Sequence, residues 1–310
     1  MSTENSNKLL LVGLPESGKT SFLAAFVNFV ESDIPGKTLR QYQLSSNATY
    51  INLIIQSYLK GETQQRTRLR STTTPNTNAD IFLEKSNDNF RFTLNIPDVH
   101  GEIFENQFVD RFIDDVYLAQ LSSATGLIVF IHPDHLRPAV LIEDIKAAHD
   151  FEAQVNQMQE GADATNQAEQ PAETTAMEFK AAECPTQITL VDLLEAHVEF
   201  MPKRPVLISI IVSAWDLIKK DFEDLSPMKW IEKTLPLLYQ YLLTNPDKIQ
   251  FKTFGVSAVG GNLDNAEDLA KLTSLDEPTD RIIVQEENIT HKNIGAPVEW
   301  IVEQWQSKTR

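Results

Sequence analysis

Apolar residues along this chain come in continuous runs, in alternation and at helical spacing, and each pattern predicts an element. Residues 9–12 are four apolar positions in a row, the outline of a short buried strand, and residues 22–30 follow as a helix. Residues 31–37 contain Pro35 and Gly36 and read as a loop. Ile51, Ile54, Ile55 and Tyr58 recur at helical spacing, which predicts an amphipathic helix over residues 48–59. Alternation over residues 79–85 and again over 90–96, with Asn87-Asp88-Asn89 between them, predicts a hairpin. Phe104, Phe108, Phe112, Ile113 and Val116 then recur as one core-facing helix. Residues 126–131 form a continuous apolar strand, and 136–150 and 188–198 read as helices. Residues 205–212 are the most strongly β-forming stretch, followed by a helix over 230–243 with Pro227 near its start. Residues 251–256 predict the last main strand, 262–294 an irregular stretch with a small strand near 282–284, and Pro297 opens a final helix.

Length and composition narrow this outline. With 310 residues, 42% of them hydrophobic, the chain suits one large domain with insertions. The net charge is −17, and residues 143–183 hold ten acidic residues against Lys146 and Lys180, close to half of that excess. That segment argues for an acidic insertion and against a nucleic-acid-binding surface. Within it, residues 152–183 are rich in Ala, Gln, Glu and Thr and nearly lack large apolar residues, so they read as flexible. A single cysteine, Cys184, excludes an internal disulfide and suits a reducing cytoplasm. Residues 1–7 are short and polar with no signal peptide, and no apolar run approaches the ~20 residues of a membrane span.

The chemistry begins where the first strand meets the first helix, at Gly13-Leu14-Pro15-Glu16-Ser17-Gly18-Lys19-Thr20 followed by Ser21. Gly13 and Gly18 allow the tight turns of a loop whose N–H groups point inward at an anion. The following helix aims its positive end at the same place. Lys19 reaches β- and γ-phosphates from that position, and the Thr20 hydroxyl holds Mg²⁺. The pattern predicts a nucleoside-triphosphate site. Downstream, the second hairpin strand runs into Asp98-Val99-His100-Gly101-Glu102. A carboxylate at such a strand tip is a second Mg²⁺ partner, and the Gly101 N–H faces the γ-phosphate. His132 and His135 lack the further ligands of a metal site and read as a polar loop.

The order strand, phosphate loop, helix, hairpin, Asp-x-x-Gly, then strand–helix alternation resembles the P-loop GTPases of the translation-factor-related class. The phrases Leu14 to Thr20, Pro97 to Glu102, Ser213-Ala214-Trp215-Asp216 and Gly255 to Gly261 resemble the bacterial double-GTPase group. The resemblance implies an α/β fold of three layers: a mostly parallel central sheet with one antiparallel hairpin strand, and helices on both faces. It implies a single G domain over residues 1–310, with 32–71 as a helical segment leading to a switch loop at Thr72, Thr73 and Thr74. GTP or GDP with Mg²⁺ would be bound, Thr20, Thr73 and Asp98 being the metal partners. Asp216 would accept from the guanine N1–H and 2-amino groups, with Ser213 beside it, and the Ser257-Ala258 backbone would meet O6. Two departures stand out. Ala214 replaces the family's stacking lysine, with Trp215 as a partial cover for the base, and Glu102 stands where relatives carry a water-orienting glutamine. Arg70 lies three residues before Thr73, the spacing of a cis arginine that stabilises transition-state charge, and a solvated loop arginine is the alternative. The family implies a protein partner or second GTPase-like subunit, in conflict or defence systems. A nucleotide-stabilised scaffold with little turnover, and a P-loop ATPase, remain the other two readings.

Overall fold

The computed structural model describes residues 7–62, 78–97, 102–139, 184–221 and 225–309. The acidic segment 152–183, and Arg70, Thr72, Thr73, Thr74, Asp98 and Gly101, lie outside the described residues, as does the side chain of Glu102. The strands are β1 (Asn7–Gly13), β2 (Leu39–Gln43), β3 (Ala79–Lys85), β4 (Phe90–Ile96), β5 (Gly126–Ile131), β6 (Val206–Ser213), β7 (Ile249–Ser257), β8 (Ile283–Glu286) and β9 (Ile289–His291). They form one sheet in the order β2-β3-β4-β1-β5-β6-β7-β8-β9. The central pairings, β4 with β1, β1 with β5, β5 with β6 and β6 with β7, are parallel. The outer ones, β2 with β3, β3 with β4, β7 with β8 and β8 with β9, are antiparallel.

This corrects the expectation of a mostly parallel sheet with one antiparallel hairpin strand, because antiparallel strands extend it on both sides. The extra strands carry little pattern. β2 buries Leu39 alone, and β9 has three residues and no buried position. The stretch expected to be irregular over 262–294 likewise contains a helix, Ala266–Thr273, capped by the Asn265 side chain, before β8 and β9.

Alternation within the parallel strands feeds two cores. Leu9, Leu11, Leu207 and Ile211 face the layer built on helices Lys19–Glu31, Ala48–Leu59 and Ala296–Thr309. Leu10, Val12, Ile208, Ile210 and Val212 face the other, with Phe104, Leu194, Trp230 and Leu238. Two helices predicted as continuous are broken. The first stops at Asp110; Arg111 takes a φ of 54°, and the Asp114 side chain caps a new helix, Asp115–Ser123, accepting from the Val116 and Tyr117 N–H groups. Phe104 and Phe108 are buried as expected, but Phe112 and Val116 are each 65% exposed, so those two are not core. The second break is Pro236, which begins helix Pro236–Thr244 directly after Pro227–Thr234.

A polar pair sits inside the second core. His197 is 1% exposed; its Nδ1 donates to the Leu193 carbonyl at 2.6 Å, which fixes Nε2 as the acceptor of the Tyr117 hydroxyl. Burial holds the His197 pKa down at about 4. The unfolded chain therefore takes up a proton near pH 6.5 that the native state refuses until about pH 4, so stability falls as pH falls through that window. At pH 5 the loss amounts to about 2 kcal/mol relative to pH 7. Urea denaturation at both pH values is expected to show that extra loss in the wild type and not in His197→Gln. Equal losses in the two proteins would remove the assignment.

Candidate functional site

The turn from β1 into helix Lys19–Glu31 is closed by local hydrogen bonds: the Ser17 N–H donates to the Leu14 carbonyl at 3.3 Å, and the Phe22 N–H to the Gly18 carbonyl at 3.0 Å. Two residues sit in the left-handed region, Glu16 at φ 61° and Gly18 at φ 90°. Glu16 stores strain of about 1–3 kcal/mol there, a cost that persists only where the surroundings fix the loop. Gly18 has a second reason to be glycine, since a Cβ on it would lie 2.7 Å from both Cβ and Oγ of Ser213. Ser213 supplies the fixing. Its hydroxyl is 2.8 Å from the Ser17 carbonyl and 3.1 Å from that of Ile131, so the end of β6 holds the loop and the end of β5 together.

Lys19 is 5% exposed and turned back on the loop. Its Nζ donates to the Gly13 carbonyl at 2.6 Å, the Leu14 carbonyl at 2.8 Å and the Ser17 hydroxyl at 3.3 Å, with the Phe104 ring centroid 5.9 Å away. The helix behind it has no acidic residue in its first turn and no side-chain cap on Gly18, so no carboxylate in that turn offsets the positive end of its dipole. Pro15 and Thr20 are half-buried and Glu16 is exposed. For a divalent cation, the half-buried Thr20 hydroxyl in that first turn is the described donor. The parallel pairing of Leu10 with Asn95 also brings the end of β4, two residues before Asp98, to the same end of the sheet.

A cavity of about 410 Å³ opens beside this loop. It is lined by Gly18 and Ser21 of the loop and its helix, by Ser213, Ala214 and Asp216 at and just beyond the end of β6, and by Ser257 and Ala258 at the end of β7. The structure therefore gathers residues from three separate motifs at one rim. Ala214 carries a φ of 45°, the turn that lets Asp216 face the cavity while its neighbour points inward. Ser257 shapes the second loop by accepting the Gly260 N–H at 2.9 Å.

Trp215 is not part of the cavity, which corrects its expected role as a cover for a bound base. It is 0% exposed, and its Nε1 donates to the Gln285 Oε1 at 2.9 Å. The ring lies against β7 at Gly255, where a Cβ would come within 2.2 Å of it. An indole this deep in the second core anchors helix Trp215–Asp221 and so sets where Asp216 stands.

The walls also contain residues that no motif announced. The loop after β5 contributes His132, Asp134 and His135, and the end of helix Ala48–Leu59 contributes Tyr58 and Glu62. The two histidine rings are 4.5 Å apart, and His135 Nδ1 is 3.4 Å from Glu16 Oε2. Burial, followed by the neighbouring His135, holds the His132 pKa down, so this ring is a neutral hydrogen-bonding group beside the cavity. Among the described residues, no group of three or more His, Cys, Asp or Glu side chains is placed to hold a metal ion.

The sequence profile of the double-GTPase 1 family matches residues 10–301. No curated protein matches the chain. Among solved structures, the chain is similar to the bacterial selenocysteine-specific elongation factor EF-Sec, at 12% identity and a TM-score of 0.33, covering 87% of this chain and 29% of that one. The chain thus spans under a third of that protein's length. It is also similar to nucleolar GTP-binding protein 1 from Plasmodium falciparum, at 12% identity and a TM-score of 0.33, covering 88% of each chain.

Lys19→Ala removes a cation whose partners here are the loop's own atoms. The variant is expected to stay folded while its affinity for a Mg²⁺–nucleoside triphosphate drops ~10–100-fold, the scale of hydrogen bonds to a charged group. Calorimetric titration with a parallel thermal melt checks both. Unchanged affinity in the folded variant would show that the lysine does not meet phosphate.

Proposed function

Because the chain belongs to the double-GTPase 1 family, we propose that it is a Mg²⁺-dependent GTP-binding protein that hydrolyses GTP to GDP and acts as a switch on a protein partner. The observation that carries this reading is the placing of Asp216 on the same cavity as the N-terminal end of the phosphate-loop helix. A carboxylate there accepts from guanine N1–H and the 2-amino group. Against adenine it would face the N1 lone pair and find no 2-amino donor. Triphosphate would lie along the Gly13 to Gly18 turn, with Lys19 exchanging the Gly13 and Leu14 carbonyls for phosphate oxygens. That exchange conserves hydrogen bonds and adds opposite charge, so it favours the bound state.

Thr20, with Asp98 and Thr73, would hold Mg²⁺, which would supply neutralisation of the phosphate charge. Arg70 would meet the charge that develops during transfer, and Glu102 would take the place of the family's water-orienting glutamine. An anionic Glu102 repels the γ-phosphate, which makes intrinsic hydrolysis slow and favours a second reading, a GTP-stabilised scaffold with little turnover. The partner in either reading is a protein, a second GTPase-like subunit in the leading form. The described residues contain no helix long and apolar enough to cross a membrane.

Two measurements test the proposal. In competition binding, GTP is expected to exceed ATP by at least roughly tenfold, the cost of leaving a buried acceptor unpaired. Asp216→Asn is expected to weaken GTP and move preference toward xanthosine triphosphate, whose 2-oxo group accepts from the new amide. Equal competition by ATP in the wild type would replace the guanine reading with the ATPase one. In single-turnover hydrolysis, Arg70→Ala is expected to slow turnover by ~10³-fold or more if the arginine acts on the transferring phosphoryl group. A rate unchanged by that substitution makes Arg70 a solvated loop arginine, and a wild type that barely turns over leaves the scaffold reading in place of the switch.

A further inference from the structure

Arg281 belongs to no motif, yet it is 5% exposed, among the most buried charged groups described. Its partners are backbone carbonyls. Nε donates to the Leu272 carbonyl at 3.0 Å and Nη1 to the Tyr58 carbonyl at 3.1 Å. Each acceptor lies in the last turn of a helix, Ala266–Thr273 and Ala48–Leu59 respectively. Helix C-termini carry unsatisfied carbonyls and partial negative charge, so one guanidinium between two of them is compensated without a carboxylate.

The backbone of the same residue makes a third contact. Gly260, at φ 81°, packs so closely that a Cβ on it would lie 2.3 Å from the Arg281 carbonyl oxygen. Tyr58 closes the ring of contacts: its hydroxyl donates to the Pro278 carbonyl at 2.9 Å, and the Arg281 guanidinium stands 5.8 Å from its ring centroid. Burial pushes the Tyr58 phenol up to about 12, so it remains a donor throughout the working pH range. Ala258 and Gly261, from the loop that packs on the Arg281 backbone, and Tyr58 and Glu62, from the helix end that its guanidinium holds, all line the cavity. Arg281 itself does not line it.

We propose that Arg281 is the positioning residue for the nucleobase: it fastens the loop 257–261 to the end of helix Ala48–Leu59 and so sets the width of the base end of the cavity. The inference rests on the GTP-binding reading above. It separates the ligand into two parts. The phosphates depend on the loop around Lys19, while the base depends on a wall held by Arg281.

The test compares GTP with Mg²⁺–tripolyphosphate, which engages only the phosphate part, in wild type, Arg281→Met and Gly260→Ala. Affinities are read by competition against a fluorescent guanine nucleotide, with folding checked by thermal melts. Arg281→Met is expected to lower GTP affinity about tenfold, the scale of one lost hydrogen-bonded charge, and to leave tripolyphosphate affinity within about twofold. Gly260→Ala, which drives a methyl against the Arg281 carbonyl, is expected to show the same split and carries the test should Arg281→Met fail to fold. Arg281→Lys should fall between, since an ammonium reaches one carbonyl more readily than two. Losing both ligands alike, or neither, in folded variants overturns the role of Arg281. A wild type that binds tripolyphosphate but not GTP overturns the guanine reading, and this role with it.

Discussion

One hydroxyl holds the candidate site together. Ser213 stands at the end of the most deeply buried strand and reaches the Ser17 carbonyl, while the Ile131 carbonyl lies within range of the same oxygen. The strained Glu16, the closely packed Gly18 and the inward-turned Lys19 all lie in the loop that this contact fixes. The contact exists because β5 lies directly between β1 and β6, in parallel register on both sides. Three consecutive parallel strands therefore end at one level, and the loops that follow them converge on one cavity. A one-residue slip in any pairing would exchange the side chains that face the two cores and carry Ser213 away from the loop.

The same logic explains why the site has two kinds of support. Around the Gly13 to Gly18 loop the support is local: a short turn, a helix end and one serine. Around the loops that follow β6 and β7 it is assembled over long separations, by Trp215 against Gly255 and by Arg281 between two helix ends. Large buried groups do the holding here, and Ala214, Ser257 and Ala258 are among the residues that face the cavity.

What the sequence revealed follows that division. The strand, turn and helix around Gly13 to Thr20 were legible because a continuous apolar run, two glycines at a turn and a following helical pattern each mark one element. The strands at 79–85 and 90–96 were legible because alternation is a direct record of one buried face. β2 and β9 were not, because strands with one buried residue or none leave no periodic trace. Trp215 was misread because its neighbour Asp216 suggested a ligand role, and nothing local shows that Gly255, forty residues away, leaves room for an indole. Phe112 and Val116 were misread because helical spacing does not record the break that Asp114 introduces by capping. Arg281 and Tyr58 were invisible for a plainer reason. Their partners are backbone carbonyls, which every residue has, so no side-chain pattern marks them.

The antiparallel strands flanking the sheet also bear on how this protein behaves in company. An open sheet edge offers unpaired backbone groups to any other extended chain, and long flat edges invite stacking between molecules. Here the five parallel strands, which carry the most continuous apolar runs of the sheet in β1, β5 and β6, are flanked at both sides. β9 offers a foreign strand only three residues, and β2 is interrupted by a register shift between Gln41 and Gln43. Next to that shift, Arg40, Glu84 and Arg91 sit opposite one another across β2, β3 and β4, with Glu84 in ion pairs on either side. A crowded solution thus meets short, irregular and charged margins in place of the sticky β-rich centre, and the molecule can keep a nine-stranded sheet without advertising it.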